Sequence, residues 1–127
     1  MVTTTSLTLF IFLLVSTTIS VVSTLRNISP ATENSGVWCV ANRKATDEQL
    51  QANIDWCCSE QGGFRNCSSI QPGGDCFEPN TPRDHASYVM NSYYQNLGHT
   101  KEQCDFGGTG SVTKHDPSHG ACVYENY

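Results

Sequence analysis

The first apolar run of the chain, Leu7 to Val15 (LTLFIFLLV), is continuous rather than periodic. A run of that length near an N-terminus predicts the core of a secretory leader. Ser, Thr, Ile and Val continue to Val22, the first charged side chain is Arg26, and Val21-Val22-Ser23 offers compact residues for cleavage. Residues 1–23 are therefore expected to be a removed signal peptide, although no Lys or Arg precedes the apolar core. The alternative, an uncleaved membrane anchor, is the weaker one, because the stretch from Leu7 to Leu25 is rich in Ser and Thr. Residues 24–36 (TLRNISPATENSG) are polar and read as a flexible leader.

From Val37 the pattern changes. Val37 to Ala41 is a short, β-prone apolar run. Thr46-Asp47-Glu48-Gln49 has the form of a capping box, predicting a helix from Asp47 to Cys58 that Gly62-Gly63 ends. On its wheel Leu50, Ile54 and Cys57 fall within about 60° of one another. Trp56 lies well to the other side and is either a platform or the edge of the core. Residues 59–80 are loop, rich in Gly, Pro, Asn and Ser. Thr81-Pro82 then predicts an N-cap with Pro at N1, and a second helix reaching Leu97 before Gly98. Its apolar face is expected to hold Ala86, Val89, Met90, Tyr93 and Leu97. Asp84, Tyr88, Asn91 and Gln95 form a stripe expected to be exposed. Ser111-Val112-Thr113 predicts a short strand, and Ala121 to Tyr124 is a second apolar run that can pair with residues 37–40.

Composition narrows the class. The chain has 127 residues, a net charge of −5, 15% charged residues and seven cysteines. This leaves room for one domain, gives no basic face for nucleic acid, and lacks the Lys/Glu/Ala runs of a long coiled coil. All seven cysteines (Cys39, Cys57, Cys58, Cys67, Cys76, Cys104, Cys122) follow the leader. In an oxidising compartment they make a disulfide framework, each bridge worth about 2–5 kcal/mol to a core this small. Zinc is not expected: there is no C-x-x-C pair, and His115 and His119 flank Asp116-Pro117, a turn. Asn27-Ile28-Ser29 and Asn66-Cys67-Ser68 are glycosylation sequons, the second weakened by its central Cys. These features describe a small disulfide-rich α+β domain of two helices, a short sheet and long loops.

Several motifs resemble the plant X8 domain, also known as carbohydrate-binding module family 43. They are Trp38-Cys39-Val40-Ala41, the run from Gln71 to Thr81 (QPGGDCFEPNT), and His85-Ala86-Ser87-Tyr88 with Asn91-Ser92-Tyr93-Tyr94-Gln95. Cys104-Asp105-Phe106-Gly107-Gly108, Asp116-Pro117-Ser118 and Cys122-Val123-Tyr124 extend the likeness, which spans residues 37–124 and leaves 125–127 as a tail. The resemblance implies two α-helices packed at an angle, a short antiparallel sheet and three disulfides. It implies binding of β-1,3-glucan such as callose or laminarin-like chains. It also implies the pairs Cys39–Cys104, Cys58–Cys67 and Cys76–Cys122. In that pattern the second cysteine follows the helix Trp by two residues, which selects Cys58 and leaves Cys57 as the spare thiol. Cys57 is expected to be buried and inert; exchange with Cys58, or a Cys57-linked dimer in place of a monomer, is the alternative.

A glycosidase needs two carboxylates facing each other across a cleft. Glu48 and Asp55 fit exposed helical positions, Asp47 and Asp84 fit the dipole of a first turn, and Glu78 in its loop is the one suggestive carboxylate. No catalytic role is assigned. Sugar binding needs flat aromatic faces with amides and carboxylates beside them. Tyr88 with Asp84, Asn91 and Gln95 offers that mixture; Tyr94, Phe77, Phe106 and Glu78 are further candidates. Tyr93 and Trp38 are expected in the core, His85 as a satisfied side chain at the helix start, and Arg83 and Lys101 in solvent. The expectation is a secreted, non-catalytic β-1,3-glucan-binding protein of the plant cell wall, with no cofactor and no membrane or lipid anchor after cleavage. A secreted signalling or inhibitor-like protein of the same fold is the alternative. Glucanase activity ranks below both. So does lipid transfer, which calls for eight cysteines with a C-x-C and more helix.

Overall fold

The computed structural model describes residues 35–62 and 67–127. The expected leader, most of the polar segment after it, and Asn27, Gly63 and Asn66 lie outside the described residues. Four elements carry the fold: strand β1 (Trp38–Ala41), helix α1 (Asp47–Cys57), helix α2 (Pro82–Asn96) and strand β2 (Gly110–Thr113). Short 3-10 turns lie at Ser68–Ile70, Lys101–Cys104 and Phe106–Gly108.

Both helices start where their side chains supply caps. In α1 the Gln49 amide N–H donates to Thr46 Oγ1 at 3.2 Å and the Thr46 N–H donates to Gln49 Oε1 at 3.0 Å. In α2 the Asp84 N–H donates to Thr81 Oγ1 at 3.1 Å, and Pro82 occupies a first-turn position whose N–H would have no helical partner. Gly98, at φ 98°, takes the left-handed conformation that stops α2. Leu50, Ile54 and Cys57 of α1 are buried and belong to the same core as Ala86, Val89 and Met90 of α2. Ile70 and Tyr94 are part of it as well.

The sheet is the antiparallel pair β1–β2, with Trp38 opposite Thr113 and Ala41 opposite Gly110. Of the two β-prone runs, Ser111–Thr113 supplies the partner of β1, and the pairing open to Ala121–Tyr124 is not the one formed. Cys122 instead makes an isolated bridge with His119. The other side of β1 is taken by the side chains of α2. Ser87 Oγ accepts from the Ala41 N–H at 2.9 Å, Asn91 Oδ1 accepts from the Cys39 N–H at 3.1 Å, and Gln95 Nε2 donates to the Val37 carbonyl at 2.8 Å. Four residues of helix rise about 6 Å, and two residues of strand rise about 6.6 Å. A helical stripe at spacing four therefore keeps step with every second residue of a strand, and this polar ladder does the work of a third strand.

The ladder overturns the expectation that Asn91 and Gln95 are exposed. They are 1% and 4% exposed. Beyond β1 they hold the C-terminal segment: Asn91 Nδ2 donates to the Glu125 carbonyl at 2.9 Å, and Gln95 Oε1 accepts from the Tyr127 N–H at 3.2 Å. The α2 helix thus has two buried flanks, an apolar one toward α1 and a polar one toward β1. Its expected apolar face shifts accordingly. A stripe at spacing four turns about 40° per step on a 3.6-residue helix, so Val89 is buried, Tyr93 half-buried and Leu97 46% exposed. Tyr94, proposed from sequence as a sugar contact, is 3% exposed. Arg83, expected in solvent, donates to the carbonyls of Asn42 at 2.7 Å and Ala45 at 3.0 Å, holding the turn between β1 and α1.

Three disulfides tie these pieces: Cys39–Cys104, Cys58–Cys67 and Cys76–Cys122. The first and third close loops with separations of 65 and 46 residues, where cross-linking restricts the unfolded chain most. Cys57 is a free, fully buried thiol, and desolvation pushes its pKa up to about 12.

Candidate functional site

The residues proposed from sequence separate into three groups. Asn91, Gln95 and Tyr94 are buried, with both amides engaged in hydrogen bonds within the protein. Asp84, Tyr88, Phe77 and Glu78 gather around the N-terminal end of α2. Phe106 lies apart from them, against α1 and the C-terminal half of α2.

In the second group the side chains are largely spent on structure. The Asp84 carboxylate contacts the hydroxyl of its own N-cap Thr81, and Glu78 Oε2 accepts from the Asn80 N–H at 3.2 Å. The Tyr88 ring stands edge-on to Tyr124, centroids 5.6 Å apart, and the Phe77 ring lies 5.5 Å from His85. His85 Nε2 donates to the Phe77 carbonyl at 2.7 Å. His119 reaches two carbonyls, Pro117 through Nδ1 at 3.0 Å and Glu78 through Nε2 at 3.3 Å. Both carbonyls favour the protonated ring and raise its pKa. Tyr124 is 5% exposed; burial first, then the charges of Asp84 and Tyr88, raise its hydroxyl pKa.

Phe106 belongs to a different kind of surface. Its ring lies edge-to-face with Tyr93 at 5.3 Å and with Trp56 at 6.4 Å, and Trp56 lies edge-to-face with Tyr93 at 5.3 Å. Trp56 is 43% exposed although its neighbour Cys57 is fully buried. The chain after α1 doubles back beneath Trp56 so closely that a Cβ on Gly62 would sit 2.2 Å from the Trp56 carbonyl oxygen. Only glycine fits there.

Phe106 itself has φ 46°, followed by Gly107 at 66° and Gly108 at 88°. Left-handed backbone costs a side chain such as Phe about 1–2 kcal/mol. It is held here by Thr109, whose Oγ1 donates to the Phe106 carbonyl at 2.7 Å and accepts from Asn53 Nδ2 at 2.6 Å. The Asn53–Thr109 contact joins the helix α1 to the turn, so all three rings are fixed relative to one another.

Beneath the rings runs a groove of about 420 Å3 lined by Asn53, Trp56, Tyr93, Glu102, Gln103 and Phe106. Gln103 is set by Thr100, whose N–H donates to Gln103 Oε1 at 3.0 Å, and by a hydrogen bond from Nε2 to the Leu97 carbonyl. The groove therefore combines three fixed rings with two amides and a carboxylate. Such a surface suits a ring that is apolar on its faces and hydroxylated at its edges. One signal of it is visible in the chain itself: Trp56 falls off the apolar stripe of α1. Tyr93 was hidden by its spacing from Val89, and Phe106 was grouped with residues on the far side of the molecule.

Comparison with known proteins adds lineage to this geometry. A family model described as the X8 domain matches residues 37–111. The major pollen allergen Ole e 10 of Olea europaea is 52% identical over 95 residues, which cover 75% of this chain and 76% of the allergen. A glucan endo-1,3-beta-glucosidase of Triticum aestivum is 55% identical over 89 residues, 70% of this chain but 18% of that protein. A glucan endo-1,3-beta-D-glucosidase of Olea europaea is 47% identical over 96 residues, 76% of this chain and 20% of its own length. The chain thus spans about a fifth of these glucosidase relatives.

Proposed function

Because the chain belongs to the X8 domain family, we propose that it is a secreted, non-catalytic carbohydrate-binding protein that recognises β-1,3-glucan at the plant cell wall. The observation that carries this reading is Trp56, 43% exposed yet fixed edge-to-face with Tyr93 and Phe106 above a groove rimmed by Asn53, Glu102 and Gln103. The names of the glucosidase relatives supply the polymer, and the match to them lies within about a fifth of their length. That short overlap favours a binding module over an independent enzyme.

Glucose rings lay their C–H faces against the aromatic surface, while Glu102, with the hydrogen-bonding capacity that Asn53 and Gln103 have left over, exchanges hydrogen bonds with ring hydroxyls. Each contact is weak, and affinity accumulates along an extended chain held by rings that need no ordering on binding. Secretion is supported by the apolar N-terminal run and by three disulfides, which persist in oxidising compartments. Asn27 and Asn66 are the proposed glycan acceptors, and the protein acts as a monomer with Cys57 enclosed. Co-sedimentation with insoluble β-1,3-glucan, with cellulose as control, tests the reading. Retention on the β-1,3-glucan alone is expected; equal recovery on both polymers, or on neither, would overturn it.

A further inference from the structure

A second groove, of about 460 Å3, flanks the same ridge as the aromatic one. The two are built from shared elements. On α2, Tyr93 lines the first and the adjacent Tyr94 the second. On the turn that follows, Glu102, Gln103 and Phe106 line the first, while Lys101, Cys104 and Asp105 line the second. Residues of this short segment therefore face alternately into one groove and the other. The Lys101–Phe106 segment is thus a ridge with a groove on each side, anchored through the Cys39–Cys104 bridge.

The second groove has a different chemistry. Its aromatic residue, Tyr94, is 3% exposed and offers no open face. It carries hydrogen-bonding groups, His99, Lys101, Asp105 and Ser111, within a lining that is mostly apolar and includes Val112, 44% exposed. His99 is held at φ 63° by a 2.7 Å hydrogen bond between its Nε2 and Gln95 Oε1, and by an edge contact with Tyr94 at 5.4 Å. Lys101 and Asp105 carry opposite charges, so the groove suits a neutral, hydroxyl-rich ligand better than an acidic or a basic one.

We propose that this second groove is a continuation subsite for the same polysaccharide, which leaves the aromatic groove, crosses the Lys101–Phe106 ridge, lays ring faces on the apolar lining and presents its hydroxyls to His99, Lys101, Asp105 and Ser111. The inference rests on the carbohydrate-binding reading above. The ligand class it specifies is a chain long enough to occupy both grooves, with short oligosaccharides held by the aromatic groove alone.

Calorimetric titration of the secreted protein with a β-1,3-linked disaccharide and hexasaccharide tests it. The hexasaccharide is expected to bind about tenfold tighter, equivalent to about 1.4 kcal/mol. In Ser111→Tyr, which fills the second groove, and in Lys101→Ala, that advantage should shrink several-fold. Amide NMR shifts at Lys101, Asp105 and Ser111 should respond to the hexasaccharide and not to the disaccharide. Equal affinity for both oligosaccharides, or an undiminished advantage in folded Ser111→Tyr and Lys101→Ala, would overturn the proposal while leaving glucan binding in place. Failure of both oligosaccharides and of insoluble glucan to bind would instead remove the carbohydrate reading and this proposal with it.

Discussion

The two polar-aromatic flanks of α2 use similar residues to opposite ends. Along one, Ser87, Asn91 and Gln95 are buried and consumed in hydrogen bonds to β1 and the C-terminal segment. Along the other, Tyr93 meets Trp56 and Phe106 at the surface, beside the amides of Asn53 and Gln103. Amides on a helix are therefore no guide to exposure by themselves. A two-stranded sheet leaves one side of β1 with unmet backbone groups, and burying such groups without partners is costly. The flank of α2 that reaches them becomes structural, and the flank that does not keeps Tyr93 at the surface, where the proposed binding groove lies.

The sharpest way to break that contrast is Asn91→Ala. It removes the acceptor for the Cys39 N–H and the donor for the Glu125 carbonyl, leaving two buried groups unpaired. At about 1–3 kcal/mol per unpaired group, the loss should be about 2–6 kcal/mol in denaturant unfolding. A loss below about 0.5 kcal/mol, within the range of ordinary surface substitutions, would return Asn91 to the exposed stripe.

How far the sequence reaches follows from the same contrast. The caps at Thr46 and Thr81, the Leu50/Ile54/Cys57 face and the limits of both helices are local, and they were readable from spacing alone. The fold class and the family were legible in the long motifs around Trp38, Cys76 and His85. Ladder residues were misread because an amphipathic wheel counts Asn and Gln as solvent-facing, and it cannot see that a strand lies opposite. Sheet pairing stays open in the sequence for a related reason: Ala121–Tyr124 and Ser111–Thr113 are both β-prone, and only the tertiary fold chooses between them. Phe106 depends on a left-handed backbone held by Thr109 and Asn53, a constraint no periodicity records.

A smaller effect separates Trp56 from Cys57, adjacent residues on opposite sides of the surface. Burial raises the Cys57 pKa to about 12 from an ordinary thiol value of 9.0. The unfolded chain therefore releases this proton first, and stability is full below about pH 9 and declines as pH rises toward 12. Tyr124, whose pKa is also raised by burial, acts in the same direction at higher pH. Unfolding measured from pH 7 to 10.5 should show the decline, and Cys57→Ala should flatten its lower part. Native protein should resist thiol labelling at pH 8 until denatured. Rapid labelling of the native state would place Cys57 at the surface with Trp56.

The smallest expected effect is at Tyr88, which packs edge-on to Tyr124 away from the aromatic groove. Tyr88→Ala should leave retention on β-1,3-glucan nearly unchanged, with a modest fall in stability from the lost ring contact. Loss of binding in a folded Tyr88→Ala protein would move the ligand to the Asp84 end of α2.

The most direct test of the central claim is Trp56→Ala, read by glucan affinity and by unfolding on the same preparation. Removing the exposed ring should weaken binding about tenfold or more, since covering a large apolar side chain is worth about 1.5–3 kcal/mol. The unfolding free energy should change far less than in Asn91→Ala. Full glucan affinity in a folded Trp56→Ala protein would contradict the assignment of binding to the Trp56–Tyr93–Phe106 surface.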